Sequence, residues 1–300
     1  MTKHLQHRLE YFILKGIILL ANILPVRLSL RLGDIIGFKA FSILRYRRRV
    51  TLNNLKRSFG DRYTDREYKQ IGLRSYINLA RSLIEFAMFP RLVKRDFSQK
   101  ISVVNGEPLR AHFDSGKGAV MISGHFGSWE LMGAYLARNG WPIDFLVGVQ
   151  HNRLVNDLMN RHRQIFGIGL IEIGVAARGV FSAIKNGRGV AMLADQDAGS
   201  DGVIIDFFGR PASTAKGPAA FALKTDTPVF YGAFVREGLD RHVLYVEGPI
   251  AVVKSKDKED DIRRLTQAYS DQLAKYIAKY PDHWLWSHKR WKSTCPEEYR

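Results

Sequence analysis

Gly118-Ala-Val-Met-Ile-Ser-Gly-His-Phe-Gly-Ser-Trp-Glu130 sets a short apolar run directly before a glycine-bounded turn. Ala119 to Ile122 is continuously apolar, the pattern of a strand buried on both faces, and from Trp129 to Arg138 apolar residues return at helical spacing. The stretch reads as strand, turn, helix. Were His125 and Glu130 both helical, five steps of about 100° would set them roughly 140° apart, on different faces. With His125 on the turn and Glu130 one turn into the helix, the carboxylate can reach back to an imidazole nitrogen. A neutral imidazole so bonded has a fixed tautomer and a second nitrogen open to a hydroxyl proton, which makes an acid/base dyad. Gly124 and Gly127 let the backbone bend tightly and leave room for a substrate atom, at the edge where open sheets present their ligand crevice. The bland alternative is a histidine satisfying a strand-end carbonyl beside an ordinary first-turn acid.

Outward from this stretch, short apolar runs alternate with helical patterns. Strands are expected at 101–104, 119–122, 145–147, 169–173, 190–193, 203–207, 228–234 and 243–246, and helices near 127–139, 152–166, 176–186, 215–225 and 259–280. Such alternation predicts an α/β fold, a largely parallel central sheet with helices on both faces. Before it, Tyr11 to Leu24 is apolar apart from Lys15 and Asn22, about 14 residues where a bilayer span needs roughly 20. Its basic start imitates a signal peptide, but no small-x-small cleavage site follows, so an uncleaved anchor is expected. Val26 to Leu44 carries Leu28, Leu32, Ile35 and Ile36 at helical spacing and runs into Arg45-Tyr-Arg-Arg-Arg49, as an interfacial helix with a polybasic end would. A hairpin packed on the domain is the alternative. Thr64-Asp-Arg-Glu67 is a capping box opening a long helix to Pro90. The expected organisation is a helical, membrane-associated region over 1–95 and an α/β catalytic domain over 96–300.

The hydroxyl that His125 would activate belongs to a substrate. No Gly-x-Ser-x-Gly elbow occurs, and Ser128, facing along the helix, is a poor nucleophile. Arg163, on the helix that also bears Arg161, can hold an acyl carbonyl or an acceptor phosphate, or can lie on a solvated face. Asp195-Gln196-Asp197 follows a buried run, so these side chains sit at a strand end, where they position substrate or turn the loop. Lys216-Gly-Pro opens a helix where phosphate can bind. Metal is not expected, since Asp195 and Asp197 lack a third ligand at a recognisable spacing, and no cofactor is expected.

A net charge of +17 over 300 residues implies a polyanionic partner: nucleic acid, anionic lipid or an acidic carrier protein. At the C-terminus Trp284, Trp286 and Trp291 alternate with His288, Lys289 and Arg290, which suits a membrane interface or base stacking. No helix-turn-helix, zinc-finger or RNP signature accompanies the charge, so no nucleic-acid partner is expected. The single cysteine, Cys295, excludes an internal disulfide.

Ser123-Gly-His-Phe-Gly-Ser-Trp-Glu130 resembles the His-x4-Asp/Glu signature of the lysophospholipid acyltransferase superfamily, and its Glu form resembles the lipid A biosynthesis (lauroyl/myristoyl) acyltransferase branch. Asn152-Arg-Leu-Val-Asn-Asp-Leu-Met-Asn-Arg-His-Arg163, Leu193-Ala-Asp-Gln-Asp-Ala-Gly199, Phe207-Phe-Gly-Arg-Pro-Ala-Ser-Thr214 and Trp284-Leu-Trp-Ser-His-Lys-Arg-Trp291 are similar to that branch in the same order. One departure is Arg153, where many members have proline. The resemblance implies an acyltransferase with His125 as general base, Glu130 orienting it and Arg163 assisting, Arg161 being the second choice. Gly127, Arg161, Asp195, Gln196 and Lys216 are the expected substrate contacts. The donor implied is acyl carrier protein and the acceptor a lipid A precursor, at the cytoplasmic face of the inner membrane. Another glycolipid or phospholipid acceptor, or a non-catalytic membrane-binding module, are the alternatives.

Overall fold

The computed structural model describes residues 3–299, the side chain of Val175 excepted. The chain opens with α1 (Lys3–Ile23) and α2 (Val26–Phe38), separated at Pro25. A π-helical turn, Lys39–Ile43, extends α2 before α3 (Arg48–Phe59) and α4 (Asp65–Ala87). The expected capping box is formed: Thr64 accepts from the Glu67 amide while the Glu67 carboxylate accepts from the Thr64 amide. After the short α5 (Phe89–Leu92) the α/β part begins with β1 (Ile101–Val104) and α6 (Glu107–Asp114). It continues through β2 (Ala119–Ser123), α7 (Trp129–Arg138), β3 (Ile143–Val147), α8 (Arg153–Gln164), β4 (Gly169–Glu172), α9 (Ala176–Lys185) and β5 (Gly189–Leu193). Then come β6 (Val203–Asp206), β7 (Pro211–Thr214), α10 (Gly217–Thr225), β8 (Val229–Glu237), β9 (Arg241–Ile250) and α11 (Lys258–Lys279).

Seven strands form one sheet in the order β1-β9-β8-β2-β5-β3-β4. Neighbours from β8 to β4 are parallel, as the alternation predicts. β9 runs against β8, because the short turn at Gly238, with φ +69°, joins them as a hairpin. β2 is buried along its whole length, and its side chains alternate between two cores. Val120 and Ile122 pack in the core that holds Val180 of α9, Ala222 of α10 and Leu273 of α11. Ala119 and Met121 pack in the core that holds Leu109 of α6, Leu131 of α7 and Ile84 of α4. The sheet is therefore covered on both faces.

α4 is also tied to the sheet by charge. Arg236 of β8 donates from both terminal nitrogens to the Glu85 carboxylate, at 2.6 and 2.7 Å, with both residues buried. Burial pushes the Glu85 carboxyl up, but Arg236 and His242 outweigh it and hold the group below its ordinary value.

The N-terminal helices leave much of their apolar surface uncovered. α1 buries only Ala21 among its residues and exposes Leu9, Phe12, Ile13, Leu19 and Leu20; Leu28 and Ile35 of α2 are exposed as well. Among the described residues no helix is long and apolar enough to cross a membrane.

Two expectations are corrected here. The run at 203–207 does not join the main sheet; β6 pairs antiparallel with β7 in a separate two-stranded ribbon. Phe208 and Gly209 both take positive φ, which closes a tight hairpin and turns the chain back before it can reach the sheet. The C-terminal tryptophans are not at the surface: Trp284, Trp286 and Trp291 are 2, 1 and 0% exposed and belong to a core. Their neighbour Arg290 is buried too, bonded to the Ser213 carbonyl and the Thr214 hydroxyl, and lies over the Phe207 ring. These indoles are thus packing residues rather than interface anchors.

Candidate active site

β2 and β5 are adjacent and parallel, so their carboxyl ends deliver two loops to one place. The loop after β2 carries His125 and the loop after β5 carries Asp195. His125 Nδ1 lies 2.8 Å from Asp195 Oδ1, and the His125 amide donates to Asp195 Oδ2 at 2.9 Å. The Trp284 indole N–H donates to Oδ2 as well, at 2.8 Å. Asp195 is only 3% exposed, and every bond it makes arrives from a donor. An ionised carboxylate so placed fixes the imidazole proton on Nδ1 and leaves Nε2 as the acceptor. Burial alone would raise the Asp195 carboxyl, but His125 and the three donors bring it down to about 2.

The turn itself is clamped by the C-terminal segment. The Gly127 amide donates to the His283 carbonyl at 2.8 Å, and the Leu285 amide to the His125 carbonyl at 3.1 Å. The Trp129 ring meets the His125 ring edge-on at 5.1 Å. His125 nevertheless keeps 22% of its side chain exposed, and among the described residues nothing bonds to Nε2. Burial lowers the proton affinity of this imidazole; the Asp195 charge and hydrogen bond, then the Glu130 charge, raise it, and the net shift is upward.

Glu130 does not reach back to the imidazole as expected. Both its oxygens are taken by Arg163, with Nη2 at 2.6 Å and Nε at 3.0 Å, a bidentate pair largely shielded from water. Arg163 also donates to Asn160 at 3.1 Å and lies over the Phe86 ring. The sequence singles out both members of this pair but not their pairing, because α7 and α8 must first be packed against the sheet to bring them together. Glu130 still faces His125 closely enough to raise its proton affinity.

The remaining expected contacts divide. Asp195 is buried as the partner of His125, so it is not a substrate contact. Gly127 leaves no room for a substrate atom: its backbone is bonded to His283 and Ser82, and a β-carbon there would stand 1.7 Å from the Phe234 carbonyl oxygen. Arg161, Gln196 and Lys216 are exposed. Asn152, in the motif where Arg153 stands in place of proline, caps α8 by accepting from the Leu154 amide at 3.1 Å. Its amide nitrogen donates to the His7 carbonyl and to the Glu10 carboxylate on α1, each at 2.9 Å, so the cap also ties α8 to α1.

Beside Arg163 lies an apolar cavity of about 190 Å³ between α1, α2, α4 and α8, whose walls include Leu14, Ile18, Leu83, Phe86 and Met159. A group of Cys295, Glu297 and Glu298 has the spacing of a metal site, but Glu298 is engaged by Arg57 and Arg210, so its carboxylate is neutralised by two cations. Two residues that the sequence pattern assigns to an interface and not to this site are Trp284, a donor to Asp195, and His288, whose Nε2 accepts the Asp197 amide at 2.9 Å.

The family model described as bacterial lipid A biosynthesis acyltransferase matches residues 1–293. The chain is similar to a phosphatidylinositol mannoside acyltransferase of Mycolicibacterium smegmatis, 25% identical over 236 residues that make up 75% of this chain and 74% of that protein. It is similar to the Mycobacterium tuberculosis protein of that name, 26% identical over 227 residues, 72% of this chain and 68% of that one. It is also similar to a lipid A biosynthesis acyltransferase of Haemophilus influenzae, 23% identical over 261 residues, 87% of this chain and 79% of that protein. With the match running from end to end of the fold just described, the chain belongs to the bacterial lipid A biosynthesis acyltransferase family and is an acyltransferase.

Proposed function

We propose that the enzyme moves a fatty acyl chain from a thioester, acyl carrier protein being the carrier, to a hydroxyl of a glycolipid of the lipid A precursor class. The observation that carries the reading is the 2.8 Å bond between His125 Nδ1 and Asp195, which leaves Nε2 as an open acceptor at the carboxyl end of the sheet. Nε2 takes the proton of the acceptor hydroxyl as its oxygen bonds to the thioester carbon. The carbon–sulfur bond then breaks, and the leaving thiolate takes the proton from His125. No group on the protein carries the acyl chain, so donor and acceptor are bound together. Arg163, held by Glu130, supplies a cation for the developing oxyanion, and the apolar cavity beside it is shaped for hydrocarbon. A glycolipid acceptor is favoured because the related proteins are named for phosphatidylinositol mannoside and lipid A. The charge of +17 favours docking of an acidic carrier.

The same reading puts the enzyme on the cytoplasmic face of the inner membrane, lying on it through α1 and α2. Support comes from the exposed apolar side chains of those helices and from the polybasic run Arg45 to Arg49 that follows them. Sodium carbonate washing of membranes is expected to leave the full chain bound, and release of the full chain by that wash would remove this part of the reading.

Complementation of a deletion strain tests the reaction. Mass spectrometry of its membrane lipids is expected to show a glycolipid short of one acyl chain, restored by the wild-type gene and not by His125→Ala. Restoration by the His125→Ala protein would refute the general-base role.

The pH dependence follows from the sign of the His125 shift. The base works only as neutral imidazole, and its proton affinity is raised, so kcat/KM falls as pH drops through a value above that of an ordinary histidine. Glu130→Gln removes one of the charges that raise it and leaves the Arg163 cation uncompensated, both of which disfavour imidazolium. The acid limb of that variant is therefore expected at lower pH than in the wild type; a limb that stays in place would show that His125 does not feel Glu130.

A further inference from the structure

The C-terminal segment brings a second histidine to the site. His288 is part-buried and its Nε2 accepts the Asp197 amide at 2.9 Å. A backbone N–H can only donate, so Nε2 is unprotonated and the ring proton of the neutral form sits on Nδ1. Among the described residues Nδ1–H meets no acceptor, and it is not among the buried polar atoms lacking a partner, so solvent reaches it. The backbone and the ring are each held: Asn54 donates to the His288 carbonyl at 2.8 Å, and Asp197, which supplies the amide to the ring, is itself fixed by the Ser293 hydroxyl at 2.6 Å. Three residues earlier the same segment donates from Leu285 to the His125 carbonyl, and His288 feels the charges of Asp195 and His125. Burial, the largest effect, lowers its proton affinity and so favours the neutral ring.

A neutral imidazole fixed in one tautomer, with its N–H reachable from solvent, is a built hydrogen-bond donor. The apolar cavity lies on the Arg163 side of the site, lined by Phe86 and Met159. His288 is not in its lining; it lies against Asp197, next to Ser287, whose carbonyl accepts from Arg47 of the polybasic run. Hydrocarbon belongs in the apolar cavity and a polar headgroup beside these polar and cationic groups. We propose that His288 is a positioning residue for the acceptor, donating from Nδ1 to an oxygen of the lipid headgroup beside the hydroxyl that His125 deprotonates. This rests on the acyltransfer reading of the His125 site.

Two amide substitutions separate the donor role from a packing role. His288→Gln can place an amide oxygen where Nε2 accepts the Asp197 amide but has no donor at the Nδ1 position. His288→Asn places an amide N–H near the Nδ1 position and gives up the Asp197 bond. The assay uses radiolabelled lauroyl-acyl carrier protein with lipid A precursor extracted from the deletion strain, with kcat and the acceptor KM measured separately and Tm as the control for folding. The donor role predicts a rise of about tenfold or more in acceptor KM for His288→Gln, the scale of one lost hydrogen bond to a polar substrate group, at unchanged Tm and unchanged donor KM. It also predicts that His288→Asn recovers part of the loss. An acceptor KM within threefold of wild type for His288→Gln overturns the inference. His125→Ala in the same assay keeps the two ideas apart: if it is inactive while His288→Gln is unaffected, only the role of His288 fails, and if it is active the site reading itself fails.

Discussion

Asp195→Asn, a substitution that keeps size and shape, is expected to lower turnover by about 10²- to 10⁴-fold, the range associated with a lost general base. The reason lies in which oxygen each donor uses. Oδ2 accepts from both the His125 amide and the Trp284 indole, while Oδ1 accepts from His125 Nδ1. An asparagine must give its single oxygen to the position with two donors, because turning the other way would set an NH₂ against two N–H groups in a buried site. Its NH₂ then faces His125 Nδ1, which can accept it only by moving the ring proton to Nε2. The imidazole stays in place with the proton on the wrong nitrogen, and Nε2 can no longer take one from a hydroxyl. Asp195→Ala is a poorer probe, since it leaves all three donors without their acceptor, at roughly 1–3 kcal/mol for each buried one, and mixes stability with catalysis. Steady-state rates for the asparagine variant, with the ring ¹⁵N shifts of His125 reporting the tautomer, decide the matter. A variant with near-wild-type turnover would show that Asp195 holds the loop and does not govern the base.

That Asp195, and not Glu130, sits on the imidazole marks how far the sequence could be read. Strand, turn and helix around His125 were legible because a five-residue buried strand and an amphipathic helix each leave a local pattern, and both occur where expected. The partner of His125 was not legible, because it depends on sheet order. β5 inserts between β2 and β3, although the chain passes through β3 and β4 first, and only that insertion sets residue 195 beside residue 125. A signal was present nonetheless: Asp195 ends a buried apolar run, as His125 follows one, and two such ends meet whenever their strands are neighbours. Glu130 and Arg163 were legible singly as charged groups at helix positions near the turn. Their pairing again depended on tertiary packing, here of α8 against α7. The tryptophans failed for a different reason. Indoles among cations have the same composition whether they lie at a lipid surface or pack in a core next to a buried arginine, and the hydrogen-bond partners of Arg290 come from β7, a strand the sequence pattern did not disclose.

The second large effect concerns Gly127, where the sequence predicts room for a substrate atom. Gly127→Ala is expected to prevent recovery of folded protein, while Gly140→Ala, at the far end of the same helix, is expected to cost only about 1–2 kcal/mol. Both glycines have positive φ, +60° at Gly127 and +77° at Gly140, so the left-handed strain of an L-residue is common to the two. They differ in what a β-carbon meets. At Gly140 nothing lies within 4 Å, whereas at Gly127 the Phe234 carbonyl oxygen is 1.7 Å away. That oxygen cannot retreat, because Phe234 is fully buried on β8 and registered against Leu244 of β9. The turn cannot retreat either, because its amide is bonded to His283 and its carbonyl to the Ser82 hydroxyl at 3.0 Å. Relief would require breaking one of these attachments inside the core, a loss comparable with the roughly 5–15 kcal/mol that separates folded from unfolded domains. Thermal unfolding of the two alanine variants is the measurement: Gly140→Ala should lose a few degrees, and Gly127→Ala should yield little soluble protein or unfold far below it. Equal Tm values would mean that the close approach of the His125 turn to β8 is not maintained in solution, and with it would go the rigid placement of His125 on which the acid/base assignment depends.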